Sequence, residues 1–318
     1  MKRPASIVVL LALAGLLTSR AYAQRGGAAQ QAVAPTPADA IDETVAPGTN
    51  FDKANFRIWV PSGAATLKAI VLLVPGSNGD AREETADPAW QAFAVKHQLA
   101  LVGLQLTDKD RSPFEEYADV SKGSGQAILG AIATLAAKSK HPEIANAPLF
   151  LWGMSAGGEV NYELAVWKPE RVAAFVVNKG GIYYTALASK ASRAVPGLLF
   201  IGGKDLESRV DIITGIFALN RRGGALWALA EEPDAAHIVG KSKDMAMMFF
   251  EDVMPARLGE KNTLKPLTEE SGFIADLHAK TYAAAPAKFN ANVTSAWLPS
   301  ERVAKAWVAM ETDKPLTQ

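Results

Sequence analysis

The sequence predicts an α/β protein, a mostly parallel sheet flanked by helices. Apolar runs of five to eight residues alternate with longer helical patterns along most of the chain, as strands linked by crossover helices do. Each run is bounded by Gly, Pro or charged residues, which suits strands buried on both faces. With 49% hydrophobic residues, the chain has the apolar content to bury a large core.

The N-terminus reads differently from the rest. Lys2 and Arg3 precede an apolar run of 11 residues, Ile7 to Leu17, and Ala21-Tyr22-Ala23 follows as a small-x-small cleavage signal. This is the layout of a secretory signal peptide over residues 1–23, and the run is too short to span a bilayer, which takes roughly 20 residues. An exported protein, periplasmic or secreted, without stable membrane insertion is expected. Gln24 to about Asn50 is rich in Ala, Gln, Pro and Gly without apolar periodicity, which predicts a flexible lead-in. The folded domain is then expected over 51–318, with a C-terminal helical extension from about Arg257.

Within the domain the elements follow in order. Phe56–Val60 and Ala69–Val74 read as strands, the second ended by Pro75-Gly76. Trp90, Phe93 and Ala94 mark a helix leading to the strand Leu99–Leu106. Ile128, Ala131, Ile132 and Leu135 line one face of a helix over Gly125–Lys138. Pro148–Trp152 is a central strand, Glu159–Trp167 a helix closed by Pro169, and Ala173–Val177, Gly197–Gly202 and Ala225–Ala230 are three more strands. Near the end, Pro299-Ser300-Glu301 reads as a helix start, with Val303, Trp307 and Met310 on the face that docks on the core.

Composition excludes several classes of chemistry. There is no cysteine, hence no disulfide, thiolate zinc site or cysteine nucleophile. Acidic and basic residues balance at 33 each, and loss of Lys2, Arg3 and Arg20 with the leader leaves −3. No dense basic run offers a footprint for nucleic acid. No dinucleotide-binding glycine motif follows a strand, Gly240-Lys241-Ser242 lacks the glycine five positions earlier that a phosphate-binding loop needs (Ala235 stands there), and no His-Glu-x-x-His occurs. No metal or organic cofactor is expected, and the sequence assigns no oligomeric state.

One motif carries chemistry. Gly153-Met154-Ser155-Ala156-Gly157 is a Gly-x-Ser-x-Gly set between a predicted strand and a predicted helix. That context makes Ser155 the residue of a sharp strand-to-helix turn, its hydroxyl exposed above the sheet. On this motif and its setting, the chain from roughly Phe56 to Met254 resembles the α/β-hydrolase superfamily. Among its members the chain resembles the secreted esterases, feruloyl esterase-like, acetyl-xylan esterase-like and polyhydroxybutyrate depolymerase-like.

The resemblance implies the chain order nucleophile, acid, histidine. Of the four histidines, His97 and His141 precede strands and belong at the opposite edge of the sheet, and His278 lies outside the core pattern. His237 follows the strand Ala225–Ala230 and a short loop, which takes it to the carboxyl edge where ligands bind. Asp205, just past Gly197–Gly202, is the expected acid, with Glu207, Asp211 and Asp234 as rivals. Backbone N–H groups of Ala156 and Ser77 are the expected oxyanion donors, with the Asn78 amide as a further one. Many members have His-Gly where this chain has Pro75-Gly76.

The connection Lys179–Pro196 is too short for a separate lid, so no large cap domain is expected. Phe114, Tyr117, Tyr183 and Tyr184 are candidates to line the substrate pocket. The expected activity is cleavage of small-molecule or polymeric esters by a serine hydrolase. Amide cleavage on the same triad, or a non-catalytic exported binding protein of this fold, are the alternatives.

Overall fold

The structure, a computed structural model, describes residues 40–109, 114–286 and 295–316. The expected signal peptide and most of the expected lead-in lie outside the described residues. Eight strands form the main sheet: β1 (Ile41–Val45), β2 (Lys53–Trp59), β3 (Ala69–Val74), β4 (Leu99–Thr107), β5 (Leu149–Gly153), β6 (Val172–Asn178), β7 (Gly197–Gly202) and β8 (Trp227–Glu232). Their spatial order is β1-β2-β4-β3-β5-β6-β7-β8. β1 and β2 run antiparallel to their neighbours, and the pairings from β4 through β8 are all parallel.

Among the described residues, seven α-helices accompany the sheet: α1 (Pro88–His97), α2 (Ser124–Lys138), α3 (Ala156–Trp167), α4 (Lys190–Arg193), α5 (Glu207–Arg222), α6 (Ser242–Arg257) and α7 (Glu301–Glu311). α2, α3 and α5 cover one face through Ile128, Val160, Leu164 and Phe217. α1, α6 and α7 cover the other through Trp90, Phe249, Val303 and Trp307. Every residue of β3, β5, β6 and β7 is buried, which is why these segments read as unbroken apolar runs rather than alternating ones. This strand order with its crossovers is that of the α/β-hydrolase fold, and among the described residues the connection between β6 and β7 holds only the four-residue α4 and no large inserted cap.

The lead-in is shorter than its composition suggests. Ile41–Val45 forms β1, pairing with β2 from Ile41 opposite Ile58 to Val45 opposite Ala54. Its alternation of half-buried Ile41, Glu43 and Val45 with exposed Asp42 and Thr44 is the strand signal, hidden in a polar neighbourhood. Arg57 Nε and Nη2 grip Asp42 at 2.7 and 3.0 Å. Asn50, buried, donates to the carbonyls of Glu116 and Asp119 and accepts from Ser124 N–H. The folded unit therefore includes these residues and does not begin at 51.

The C-terminal extension is not purely helical. A second, three-stranded antiparallel sheet of order β10-β9-β11 is made by β9 (Phe273–Asp276), β10 (Thr281–Ala284) and β11 (Ser295–Leu298). Strands of four residues carry too little periodicity to be read from sequence. Fully buried Arg221 of α5 joins it to the main core, reaching Ser295 O at 3.0 Å and Glu269 at 2.6 Å.

The final helix behaves as its pattern predicts. Ser300 caps α7, its hydroxyl accepting from Val303 N–H at 3.0 Å, and Val303, Trp307 and Met310 are fully buried. Trp307 Nε1 donates to Leu229 O of β8 at 2.7 Å. Trp307→Ala should therefore cost about 3–5 kcal/mol in urea unfolding. Trp307→Phe, which keeps most of the ring volume but leaves that carbonyl without its donor, should cost about 1–3 kcal/mol.

Candidate active site

The chain reverses direction between β5 and α3 in a single tight turn. Ser155 sits there at φ +55°, ψ −127°, a backbone region that costs a side chain about 1–3 kcal/mol unless its surroundings impose it. Here they do. Ser155 N–H donates to Asn178 O of β6 at 2.8 Å, and Gly157 and Gly158 N–H close the turn onto Met154 and Ser155 carbonyls at 2.9 and 2.8 Å. The glycines are demanded by proximity. A Cβ on Gly157 would lie 2.3 Å from Val74 O, and one on Gly153 would lie 2.6 Å from the Gly157 carbonyl.

β3 and β5 are neighbours, yet the chain leaves them toward opposite sides of the sheet. That makes their carboxyl ends a topological switch point, where a crevice opens in sheets of this kind. The loop leaving β3 borders Ser155 directly: a Cβ on Gly76 would stand 3.7 Å from Ser155 Cβ. Among the described residues, neither Ser77 N–H nor Ala156 N–H donates a hydrogen bond, and Ala156 opens α3, where the helix dipole adds positive potential. Asn78 differs from the expectation. Its N–H is taken by Tyr117 Oη at 2.9 Å and its Oδ1 by Asp108 N–H at 2.8 Å, while its Nδ2 turns to Ser77 Oγ at 3.3 Å. Asn78 clamps two loops together and is not a free donor.

Asp205 and His237 meet above β7 and β8. Asp205 Oδ2 and His237 Nδ1 are 3.0 Å apart. Asp205 Oδ1 accepts from Leu206 N–H at 2.8 Å and from Arg209 Nη1 at 2.5 Å. Burial alone would raise the Asp205 pKa, but the His237 hydrogen bond, the Leu206 N–H and the Arg209 charge bring it below the usual value. An ionised Asp205 facing Nδ1 favours the tautomer with the proton on Nδ1 and leaves Nε2 free to act as a base. No hydrogen bond joins Ser155 to His237 in this structure. Contacts of this type often tighten only with substrate in place.

The other candidates fall elsewhere. His97 ends α1, 3.3 Å from Glu251; His141 precedes β5, bonded to Glu143; and His278 sits in the turn after β9. Glu207 and Asp211 lie on α5, and exposed Asp234 pairs with Lys204 at 2.5 Å. Phe114 and Tyr184 are 56% and 43% exposed, and Tyr184 Oη donates to Glu115 O at 3.1 Å. Tyr183 is half-buried, edge-on to Tyr162 at 5.0 Å. Tyr117, at 2% exposure, is a core residue whose hydroxyl supports the Asn78 loop, and the pocket role expected for it is corrected accordingly. Among the described residues no cluster of His, Asp and Glu could hold a metal ion.

Sequence reasoning missed two carboxylates. Glu159 Oε1 accepts from Gly181 and Ile182 N–H at 2.7 and 3.0 Å. One turn on, Glu163 accepts from Tyr184 N–H, Thr185 N–H and Thr185 Oγ1 at 2.7–2.8 Å. Together they hold the loop after β6 that carries Tyr183 and Tyr184. Their signal was present as two acids at i, i+4 on a helix whose other faces are also buried. Burial, with Glu115 adding to it, pushes the Glu159 pKa up to about 8 despite the two N–H donors.

No protein-family model and no curated protein matches the chain. Solved structures do match in part. A thermostable esterase is similar at 16% identity and TM-score 0.48, over 61% of this chain and 54% of its own, so the match spans about half of that protein's length. Poly(aspartic acid) hydrolase-1 from Sphingomonas sp. KT-1 is similar at 14% identity and TM-score 0.46, over 66% of this chain and 97% of its own.

The raised Glu159 pKa has a measurable sign. The folded state holds this proton more tightly than the unfolded chain, so the associated stability is full below about pH 4.5 and is lost as pH rises through about 8. Glu159→Gln, which keeps the acceptor for Gly181 and Ile182, should flatten the fall in urea-unfolding stability between pH 5 and 8.5. A slope equal to that of wild type would refute the assignment.

Proposed function

We propose that the protein is an exported serine hydrolase that cleaves carboxylic esters through an acyl-enzyme. The observation that carries this reading is the Asp205–His237 hydrogen bond at the carboxyl edge of the sheet, on the same edge as a serine held in a strained turn beside two unused N–H groups. A serine alcohol is a weak nucleophile and needs a base, and that base needs a fixed tautomer.

The chemistry follows from these groups. His237 Nε2 takes the Ser155 proton as Oγ attacks the ester carbonyl. Asp205 stabilises the imidazolium that forms, and the N–H groups of Ala156 and Ser77 receive the developing oxyanion. Collapse expels the alcohol, which takes the proton back from His237. A water activated by the same imidazole then releases the acid and restores Ser155. The short connection after β6 supports an open site, and the exposed rings of Phe114 and Tyr184 are the candidates to contact the apolar part of an ester. Export rests on the Lys2–Ala23 leader pattern.

Labelling of the purified mature protein with a fluorophosphonate probe tests the reaction class. Wild type should label and Ser155→Ala should not. Asp205→Asn should lower kcat on p-nitrophenyl esters by on the order of 10⁴, and His237→Ala by at least as much. A folded wild type that neither labels nor turns over any ester of a chain-length series would sink the proposal and favour a binding protein.

A further inference from the structure

At the carboxyl end of β6 the chain places an ammonium group in the interior. Lys179 follows the strand at φ +56° with a side chain 0% exposed. Its Nζ donates to Asn178 Oδ1 and to Glu232 Oε2, each at 3.2 Å. A buried ion pair gains little over well-packed apolar residues, and losing one partner strands the other's charge. Such a pair is informative for what it connects.

Glu232 is the last residue of β8, and it fastens the loop that follows. Its main-chain carbonyl accepts from Gly203 N–H at 3.0 Å and from Ala235 N–H at 3.1 Å. Its Oε1 accepts from Lys241 N–H at 2.7 Å. Gly240, at φ +58°, lies so close that a Cβ would fall 2.3 Å from both carboxylate oxygens. Glu232 thus grips the chain two residues before Asp205, two before His237 and four after it. On the other side of the pair, Asn178 O receives Ser155 N–H at 2.8 Å. The Lys179–Glu232 contact spans β7, tying the strand end that braces Ser155 to the strand end that carries the His237 loop.

We propose that Lys179 and Glu232 are positioning residues, their buried ion pair fixing the 235–241 loop so that His237 stands over Ser155. The inference rests on the reading of Ser155 and His237 given above. The Asp205 hydrogen bond sets the imidazole's tautomer and tilt, whereas the root of its loop sets how far the ring reaches toward the elbow. Proton transfer needs that reach to within a few tenths of an ångström, and misplacement by about 1 Å can cost on the order of 100-fold.

The test counts active sites separately from their speed. Wild type, Lys179→Met, Glu232→Gln and the double variant are titrated with the fluorophosphonate probe, then assayed on p-nitrophenyl acetate. In both single variants kcat per titrated site should fall by about 10- to 100-fold, with KM within about twofold of wild type. The double variant should be no slower than the slower single one, because the pair acts as a unit. Glu232→Gln keeps an acceptor for Lys241 N–H and preserves the test if Lys179→Met folds poorly. Should the variants lose titratable sites while each remaining site turns over at the wild-type rate, the pair is only structural and the proposal is overturned. A wild type with no titratable site overturns the ester-hydrolase reading and this inference together, an outcome distinct from wild-type turnover with unimpaired variants.

Discussion

The carboxyl edge of the sheet depends on how closely α3 approaches the end of β3. Gly157 lies against the Val74 carbonyl with no room for a side-chain carbon, and that contact forces the chain to turn within the few residues after Gly153. The positive φ of Ser155, the first free N–H of the helix and the nearness of the Pro75–Gly79 loop all follow from the one approach. The strain at Ser155 is held in place by the bond to Asn178 and by the fully buried strands on either side. A looser elbow would relax that backbone and separate the two N–H groups that the proposed oxyanion needs in one place.

Above the strands, polar side chains do the work of holding loops to one another. Asn78 joins the β3 exit loop to Tyr117 and Asp108, Glu159 and Glu163 hold the segment after β6, and Glu232 holds the segment after β8. Most of these are side-chain acceptors taking backbone N–H groups, which meets the demand of turns that have left the sheet ladder but are not fully in water. Burying so many carboxylates is costly, and the raised Glu159 pKa records that cost directly. The loops over this edge of the sheet are bonded to the scaffold by these side chains.

Much of this was legible in the sequence, for a physical reason. Parallel strands buried on both faces are unbroken apolar runs, so Ala69–Val74 and Gly197–Gly202 could be bounded to the residue, and the elbow is announced by glycines that packing requires. Asp205 and His237 could be nominated because chain order and sheet edge constrain them, though only the folded chain brings the two side chains to 3.0 Å. What stayed hidden was information carried by few residues or by distant partners. β1 and β9 to β11 are four or five residues long. Tyr117 looks the same in sequence whether it lines a pocket or supports Asn78. Glu159 and Lys179 read as ordinary surface charges until the loops they hold are seen.

The way the loop after β6 is fastened separates its path from its composition. Glu159 and Glu163 grip it mainly by the peptide N–H groups of Gly181, Ile182, Tyr184 and Thr185, groups that almost every amino acid supplies alike. The backbone trace over residues 181–185 can therefore survive exchange of the side chains at 182 and 184, one of them the exposed ring of Tyr184. A lineage, or an engineer, could change the surface there one residue at a time without rebuilding the turn beneath it.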